Sequence, residues 1–115
     1  CSGRVYFDLA AAREARGAYD VSIVRVEQLS PFPYHEVRAA IARLPNATVA
    51  WAQEEAMNYG AWSYVRPRLE NTVRSLSGLN YPIPYIGRSP SAAPATGVVE
   101  LHKQQLDELL EVAFR

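Results

Sequence analysis

The sequence of 115 residues is short enough for a single domain, and its 12 basic and 12 acidic residues cancel. A chain without net charge does not favour nucleic acid or an anionic membrane surface as a partner. No apolar run approaches the roughly 18 residues that span a bilayer, and the single cysteine, Cys1, excludes an internal disulfide framework and a multi-cysteine metal site.

The first half of the chain alternates between helical and strand-like patterns. Arg4–Arg16 carries apolar or small residues at the spacing of an amphipathic helix, and Gly17 follows as a stop signal. Asp20–Leu29 is rich in β-branched residues with few polar interruptions, which is typical of a strand covered on both faces. A second helix is predicted to begin at Pro33, where proline is tolerated, and to end at Pro45.

The second half continues the alternation around a central polar stretch. The apolar residues Ala47–Ala52 predict a buried strand, and Gln53–Trp62 is predicted to be the polar loop before the next helix. Loops in this position carry the binding surfaces of open α/β sheets. The remaining elements are a helix from Trp62 closed by Ser77-Gly78, an edge strand at Tyr81–Gly87, a loop at Arg88–Gly97 and a final helix at Glu100–Arg115.

This alternation predicts an α/β domain. The expected architecture is a three-layer αβα arrangement, in which a mostly parallel sheet has helices on both faces and right-handed crossovers. Cys1-Ser2-Gly3 is typical of the turn that follows a strand and opens a helix, so a first strand is expected to precede residue 1. Residues 1–115 are therefore predicted to be one domain, a fragment of a longer multidomain chain.

Four blocks of the sequence match one known family in the same order. The blocks are Cys1–Leu9, Ile23–Pro33, Gln53–Trp62 and Gly87–Gly97. Together they resemble the C-terminal, transketolase-like domain of the first, thiamine-dependent component of 2-oxoglutarate dehydrogenase. One departure is Ala56, where many members of that family carry proline, and this loosens the loop slightly. A related family that acts on 2-oxoadipate shares the same signatures.

The resemblance implies what the longer protein does. Members of that family decarboxylate 2-oxoglutarate in the tricarboxylic acid cycle and reductively succinylate the lipoyl group of the second component. Thiamine diphosphate and Mg²⁺ are expected between the two preceding domains, across a homodimer interface, with no cofactor in this domain. The implied partners are a second protomer, the succinyltransferase and the dihydrolipoyl dehydrogenase. The implied compartment is the mitochondrial matrix in a eukaryote and the cytoplasm in a bacterium.

The central stretch supplies candidates for an interface or for organising the loop. They are Gln53, Glu54, Glu55, Asn58, Tyr59, Gly60 and Trp62. Neighbouring side chains on a strand point to opposite faces, so Glu54 and Glu55 are not predicted to act as a catalytic pair. One is expected to bond backbone amides or an arginine and the other to face an interface. Trp51, inside the predicted strand, is expected in the core.

Arg88 offers a candidate site for an effector. Its guanidinium, with the hydroxyls of Ser89 and Ser91, follows a strand end and is suited to a phosphate, and Arg66 is expected to add charge. The resemblance adds that some relatives bind acetyl-CoA on this domain, and AMP is the other candidate effector. In the alternative, Arg88 ties its loop to one of the two glutamates. A docking surface for the second component is a third possibility.

No catalytic or metal-binding residue is predicted in this domain. His35 and His102 lie far apart in the sequence, and neither has a partner at metal-ligand spacing. Cys1 has no neighbouring group that lowers the pKa of a thiol, so a nucleophilic role is not predicted. The domain is therefore expected to support the dimer and the surroundings of the active site, and to be inactive alone.

Overall fold

The chain forms four helices and two strands in the computed structural model, which describes residues 1–91 and 99–114. The elements are, in chain order, α1 Val5–Arg16, α2 Tyr34–Ala42, β1 Trp51–Ala56, α3 Trp62–Ser77, β2 Tyr85–Arg88 and α4 Val99–Ala113. This is an α/β domain, as the alternating pattern predicts. Within the described residues, no helix combines the length and the apolar character required for a bilayer crossing.

The two strands form a parallel sheet with an irregular register. The paired residues are Trp51 with Tyr85, Ala52 with Ile86, and Ala56 with Arg88. Between the second and third pairs, β1 advances by four residues, from 52 to 56, while β2 advances by two, from 86 to 88. The additional residues of β1 form a bulge that includes Gln53, and a bulge redirects the side chains of its strand.

Adjacent residues of β1 point into two different hydrophobic clusters. Trp51, which is 2% exposed, belongs to a cluster with residues of α2 and α3, and this confirms its predicted place in the core. Ala52 belongs to a second cluster with residues of α1 and α4, namely Val5, Leu9 and Leu109. Because neighbouring strand residues face opposite sides, β1 anchors both clusters at once.

The strand predicted at Asp20–Leu29 does not form. Two backbone hydrogen bonds join this segment to Cys1: the amino group of Cys1 donates to the Val24 carbonyl at 3.1 Å, and the Val26 N–H donates to the Cys1 carbonyl at 2.8 Å. This is the pattern of a parallel ladder, limited to one residue of the partner segment. A β-branched run predicts which side chains suit a strand, whereas a strand also needs hydrogen-bonding partners along its length.

Strand β1 also differs from the prediction, because it begins and ends four residues later than the predicted 47–52. Gln53–Glu55 therefore lie in the strand and not in the following loop, and pairing continues until the Met57 N–H donates to the Arg88 carbonyl at 3.0 Å. Their polar character predicted a loop, but the polar groups of Gln53 are satisfied inside the fold. Similarly, β2 begins only after Pro84, which lacks a backbone donor.

The helix ends agree more closely with the sequence. Helices α1 and α3 end at Gly17 and Gly78, as predicted. Helix α2 begins one residue after Pro33 and ends at Ala42, so it is shorter than predicted. The loop predicted at Arg88–Gly97 lies mostly outside the described residues.

Candidate functional site

Gln53 is the polar centre of the loop that follows β1. Its side chain is 2% exposed, and its Oε1 accepts a hydrogen bond from Trp51 Nε1 at 3.0 Å. Its Nε2 donates to the carbonyls of Glu55 at 3.2 Å, Ala56 at 2.9 Å and Tyr59 at 2.8 Å. One buried amide therefore bonds the bulge to the turn before α3, and its loop-organising role stays a prediction.

Tyr85 closes the same bulge from β2. Its hydroxyl donates to the carbonyl of Arg88 at 2.8 Å and lies 3.2 Å from the carbonyl of Glu55. Burial raises the pKa of the Tyr85 phenol above its ordinary value, more than a hydrogen bond from Gln53 and the charge of Arg88 lower it. The phenol therefore keeps its proton and remains a donor to the backbone.

Asn58 joins the loop after β1 to the segment after β2. Its Nδ2 donates to the Ser91 carbonyl at 2.7 Å, and its Oδ1 accepts from the Ser91 N–H at 2.9 Å. Two bonds from one amide hold the two segments in a single relative position. The carboxyl ends of the parallel strands thus share one connected surface, as expected for the binding edge of an α/β sheet.

Gly60 occupies a position where a larger residue meets both backbone strain and side chains. Its φ is +67°, and an added Cβ would lie 2.5 Å from Glu55 Oε2 and 3.2 Å from Gln53 Oε1. Gly78 has a similar φ of +73°, but an added Cβ there meets nothing within 4 Å. The two glycines therefore share the backbone strain and differ in the contacts.

We expect Gly60→Ala to be more destabilising than Gly78→Ala. The strain of a left-handed alanine is about 1 kcal/mol at both positions, and the contact with the fixed Gln53 amide adds about 1 kcal/mol at Gly60. Hydrogen exchange in the full-length protein that contains this domain measures the local opening free energy around each glycine. Equal losses of opening free energy at the two positions would show that the Gln53 amide can move away from the added methyl group without cost.

Arg88 and helix α4 enclose a pocket of about 480 Å³. The pocket is lined by the predicted residues Arg88, Ser89 and Ser91, and by Gln105 and Glu108 of α4. Arg88 Nε and Gln105 Oε1 are buried polar atoms that have no hydrogen-bond partner within the described part of the chain. The sequence missed the contribution of α4, because no spacing in the sequence shows which face of this helix turns towards β2.

Arg66 does not line this pocket. Its Nε forms an ion pair with Glu70 Oε1 at 3.0 Å, and its guanidinium lies 5.8 Å from the centre of the Trp62 ring. The predicted grouping of Arg66 with the Arg88 segment therefore has no contact that supports it in the described part of the chain. Arg88 forms no ion pair with Glu55 among the ion pairs of those residues.

The two glutamates of β1 differ in their surroundings. Glu54 is half-buried, whereas Glu55 is exposed and lines a second pocket of about 410 Å³ with Ser2, Ser30 and Tyr64. This second pocket lies beside Gly60, at the end of β1. The glutamates lie in the strand as consecutive residues, which is the arrangement that argues against a shared catalytic atom.

The aromatic candidates divide between core and surface. Trp62 is 8% exposed and packs against Tyr85 with ring centres 5.2 Å apart, so its ring belongs to the core of this domain. Tyr59 is half-buried and contributes its carbonyl to Gln53. Phe7, which was not a candidate, is 58% exposed and lies 4.9 Å from the Arg25 guanidinium. The spacing of apolar residues in the sequence does not show that an aromatic residue on a helix is exposed, so Phe7 could not be singled out in advance.

The described residues contain no group of three or more His, Cys, Asp or Glu side chains placed to hold a metal ion. His35 is exposed on α2, and the side chain of His102 lies outside the described set. Cys1 is half-buried, with its Sγ 3.7 Å from the Val24 carbonyl.

Comparison with known proteins places this geometry in a family context. Residues 1–114 match the family described as 2-oxoglutarate dehydrogenase C-terminal. Over 99% of its length, the chain is 46% identical to the mitochondrial 2-oxoglutarate dehydrogenase of Caenorhabditis elegans and 43% identical to the 2-oxoglutarate dehydrogenase E1 component of Brucella anthropi. It is 45% identical to the probable 2-oxoadipate dehydrogenase complex component E1 homolog of Dictyostelium discoideum.

The chain spans 11% to 12% of the length of these relatives. The family match covers the four blocks on which the resemblance rests and the elements that carry the Gln53 bulge and the Arg88 pocket. This chain therefore belongs to the 2-oxoglutarate dehydrogenase C-terminal family.

Proposed function

We propose that this chain is the C-terminal domain of a thiamine-dependent 2-oxoglutarate dehydrogenase, in which it supports the homodimer and the surroundings of the active site. The observation that carries the proposal is the family match over residues 1–114. The longer protein would oxidatively decarboxylate 2-oxoglutarate and pass the succinyl group to the lipoyl group of the succinyltransferase. A dihydrolipoyl dehydrogenase would then reoxidise that lipoyl group.

The geometry supports a structural role for the domain in that reaction. The described polar groups of the Gln53 bulge bond one another and the backbone, which suits a rigid edge of the sheet. We assign thiamine diphosphate and Mg²⁺ to the other domains of the longer protein, where the cofactor would supply the carbanion-stabilising chemistry. The compartment would be the mitochondrial matrix in a eukaryote and the cytoplasm in a bacterium.

The dimer role is tested by placing a charge on the loop after β1. Met57 is 36% exposed beside Asn58, and we expect Met57→Arg to weaken dimerisation of the full-length protein at least tenfold, because a charge is disfavoured in the centre of an interface. Leu79, which is 69% exposed between α3 and β2, provides the matched control Leu79→Arg. Analytical ultracentrifugation measures the dimer affinities of both variants. In a separate assay of the unmodified full-length protein, the turnover rates with 2-oxoglutarate and with 2-oxoadipate identify the substrate. Equal dimer affinities in the two variants would remove this loop from the interface.

A second function is favoured by Arg88 Nε, which has no partner among residues 1–91 and 99–114. The pocket between Arg88 and α4 would bind an acyl-CoA or nucleotide effector such as acetyl-CoA or AMP. Calorimetric titration of both compounds into the full-length protein tests this function. We expect Arg88→Ala to abolish binding, and Arg43→Ala, which removes an exposed arginine after α2, to leave it unchanged. Binding that is indifferent to Arg88 would leave the domain with its structural role alone.

A further inference from the structure

The Arg88 pocket contains one donor and one acceptor that no described residue satisfies. Arg88 Nε is a buried N–H donor, and Gln105 Oε1 is a buried acceptor, and both residues line the pocket. Buried polar atoms in folded proteins are almost always paired, so an unpaired donor and acceptor in one pocket point to a ligand that pairs with both. The volume of about 480 Å³ is within the range of small-molecule sites.

The charge of the pocket argues against an anion as its preferred occupant. Arg88 and Glu108 are the charged residues among those described as lining it, and their charges cancel. Gln104 Nε2 donates to Glu108 Oε1 at 3.2 Å. A phosphate in this pocket would be attracted by the Arg88 guanidinium and repelled by the Glu108 carboxylate. The apolar side chains of Leu109 and Val112 complete the lining and suit a flat organic group.

We propose that this pocket binds an uncharged group that presents a hydrogen-bond acceptor beside an N–H donor. The acceptor receives the Arg88 Nε–H, and the donor bonds Gln105 Oε1. An aminopurine edge and a primary carboxamide both have this arrangement. This inference shares only the pocket with the second proposed function. Here Gln105 and Arg88 recognise an uncharged hydrogen-bonding group of the ligand, and the ligand needs no phosphate.

Two matched pairs of small compounds test the proposal on the unmodified full-length protein. Adenosine and nicotinamide present the acceptor and donor together, whereas purine riboside lacks the amino donor and nicotinate replaces the donor with an acceptor. We expect ligand-observed NMR titration to show binding of adenosine or nicotinamide, and at least about tenfold weaker binding of the partner compound, because Gln105 Oε1 would face no donor. A preference within the adenosine pair identifies the aminopurine, and a preference within the nicotinamide pair identifies the carboxamide.

Two variants assign the binding to this pocket. Gln105→Met keeps the size of the side chain and removes the acceptor, and we expect it to weaken the bound compound about threefold to tenfold. Gln28→Met makes the same change at an exposed position outside the pocket and is expected to leave binding unchanged. The proposal is overturned if neither compound binds, if both members of each pair bind equally, or if inorganic phosphate displaces them.

The same variants separate this proposal from the effector function. Acetyl-CoA binding that is lost in Arg88→Ala but indifferent to Gln105→Met would support the effector function and overturn the neutral-edge proposal. Adenosine or nicotinamide binding that depends on Gln105, without any binding of acetyl-CoA or AMP, would support the neutral-edge proposal and overturn the effector function.

Discussion

Replacing Gln53 with leucine is expected to lower the local unfolding free energy of the β1 region by about 3–5 kcal/mol. Leucine has a similar size, so the loss comes from the polar groups that Gln53 satisfies. Trp51 Nε1 would lose its acceptor, and the Tyr59 carbonyl would lose the donor at 2.8 Å. An unsatisfied buried group destabilises a fold by about 1–3 kcal/mol, and two such groups account for most of the expected effect.

The matched control for this change is Gln28→Leu, because Gln28 is exposed. A substitution at such a site is expected to change stability by no more than about 0.5 kcal/mol. Hydrogen exchange of the peptides that cover residues 51–62 in the full-length protein measures the opening of the bulge. Faster exchange in Gln53→Leu but not in Gln28→Leu is the expected result. Unchanged protection in both would show that the Gln53 bonds do not hold the loop.

Trp51→Phe tests the same network from the other side. It removes the indole donor, so the penalty for an unpaired Trp51 Nε1 disappears when Trp51→Phe and Gln53→Leu are combined. We expect the double variant to be about 1 kcal/mol more stable than the sum of the two single changes. Simple additivity would mean that the bond between these side chains contributes little.

The helices and the Gln53 stretch show how far local sequence patterns extend. The spacing of apolar residues and the final glycine predicted α3 closely, because both signals act within a few residues along the chain. Gln53 was predicted to lie in a loop and to organise it, whereas the structure places this residue within the strand. Its polar side chain is buried because Trp51 and nearby carbonyls satisfy it, and hydropathy alone does not register such partners.

Long-range partners explain what the sequence missed. Residues 20–29 have the composition of a strand, but among the described residues the ladder-type backbone bonds to this segment come from Cys1. The Arg88 pocket was predicted from one segment, whereas Gln105 and Glu108 of α4 also line it. Where a helix that begins 11 residues after Arg88 packs depends on the whole domain. The predicted addition of Arg66 stays a prediction, and in the described part of the chain its guanidinium contacts Glu70 and Trp62.

Gly87→Ala is expected to destabilise the sheet by about 2–4 kcal/mol through steric contact alone. The added Cβ would lie 2.5 Å from the Tyr85 hydroxyl, 2.7 Å from Tyr85 Cζ and 2.8 Å from the backbone carbonyl oxygen of Gln53. These distances are shorter than any van der Waals contact, and the Tyr85 hydroxyl is held by its bond to the Arg88 carbonyl. Neither neighbour can move without opening the bulge.

The sign of the effect makes this prediction specific to the bulge. Gly87 does not need a positive φ, and at such a position a change from glycine to alanine normally stabilises a protein by about 0.4–1 kcal/mol. Hydrogen exchange should therefore report a loss of protection at the Met57 N–H, which donates to the Arg88 carbonyl beyond Gly87, while the N–H of Val65 in α3 keeps its protection. Tyr85→Phe should not rescue the variant, because Cζ and the Gln53 carbonyl oxygen remain in place. A Gly87→Ala protein as stable as the unmodified one would mean that the two strands are not held as closely as the bulge requires.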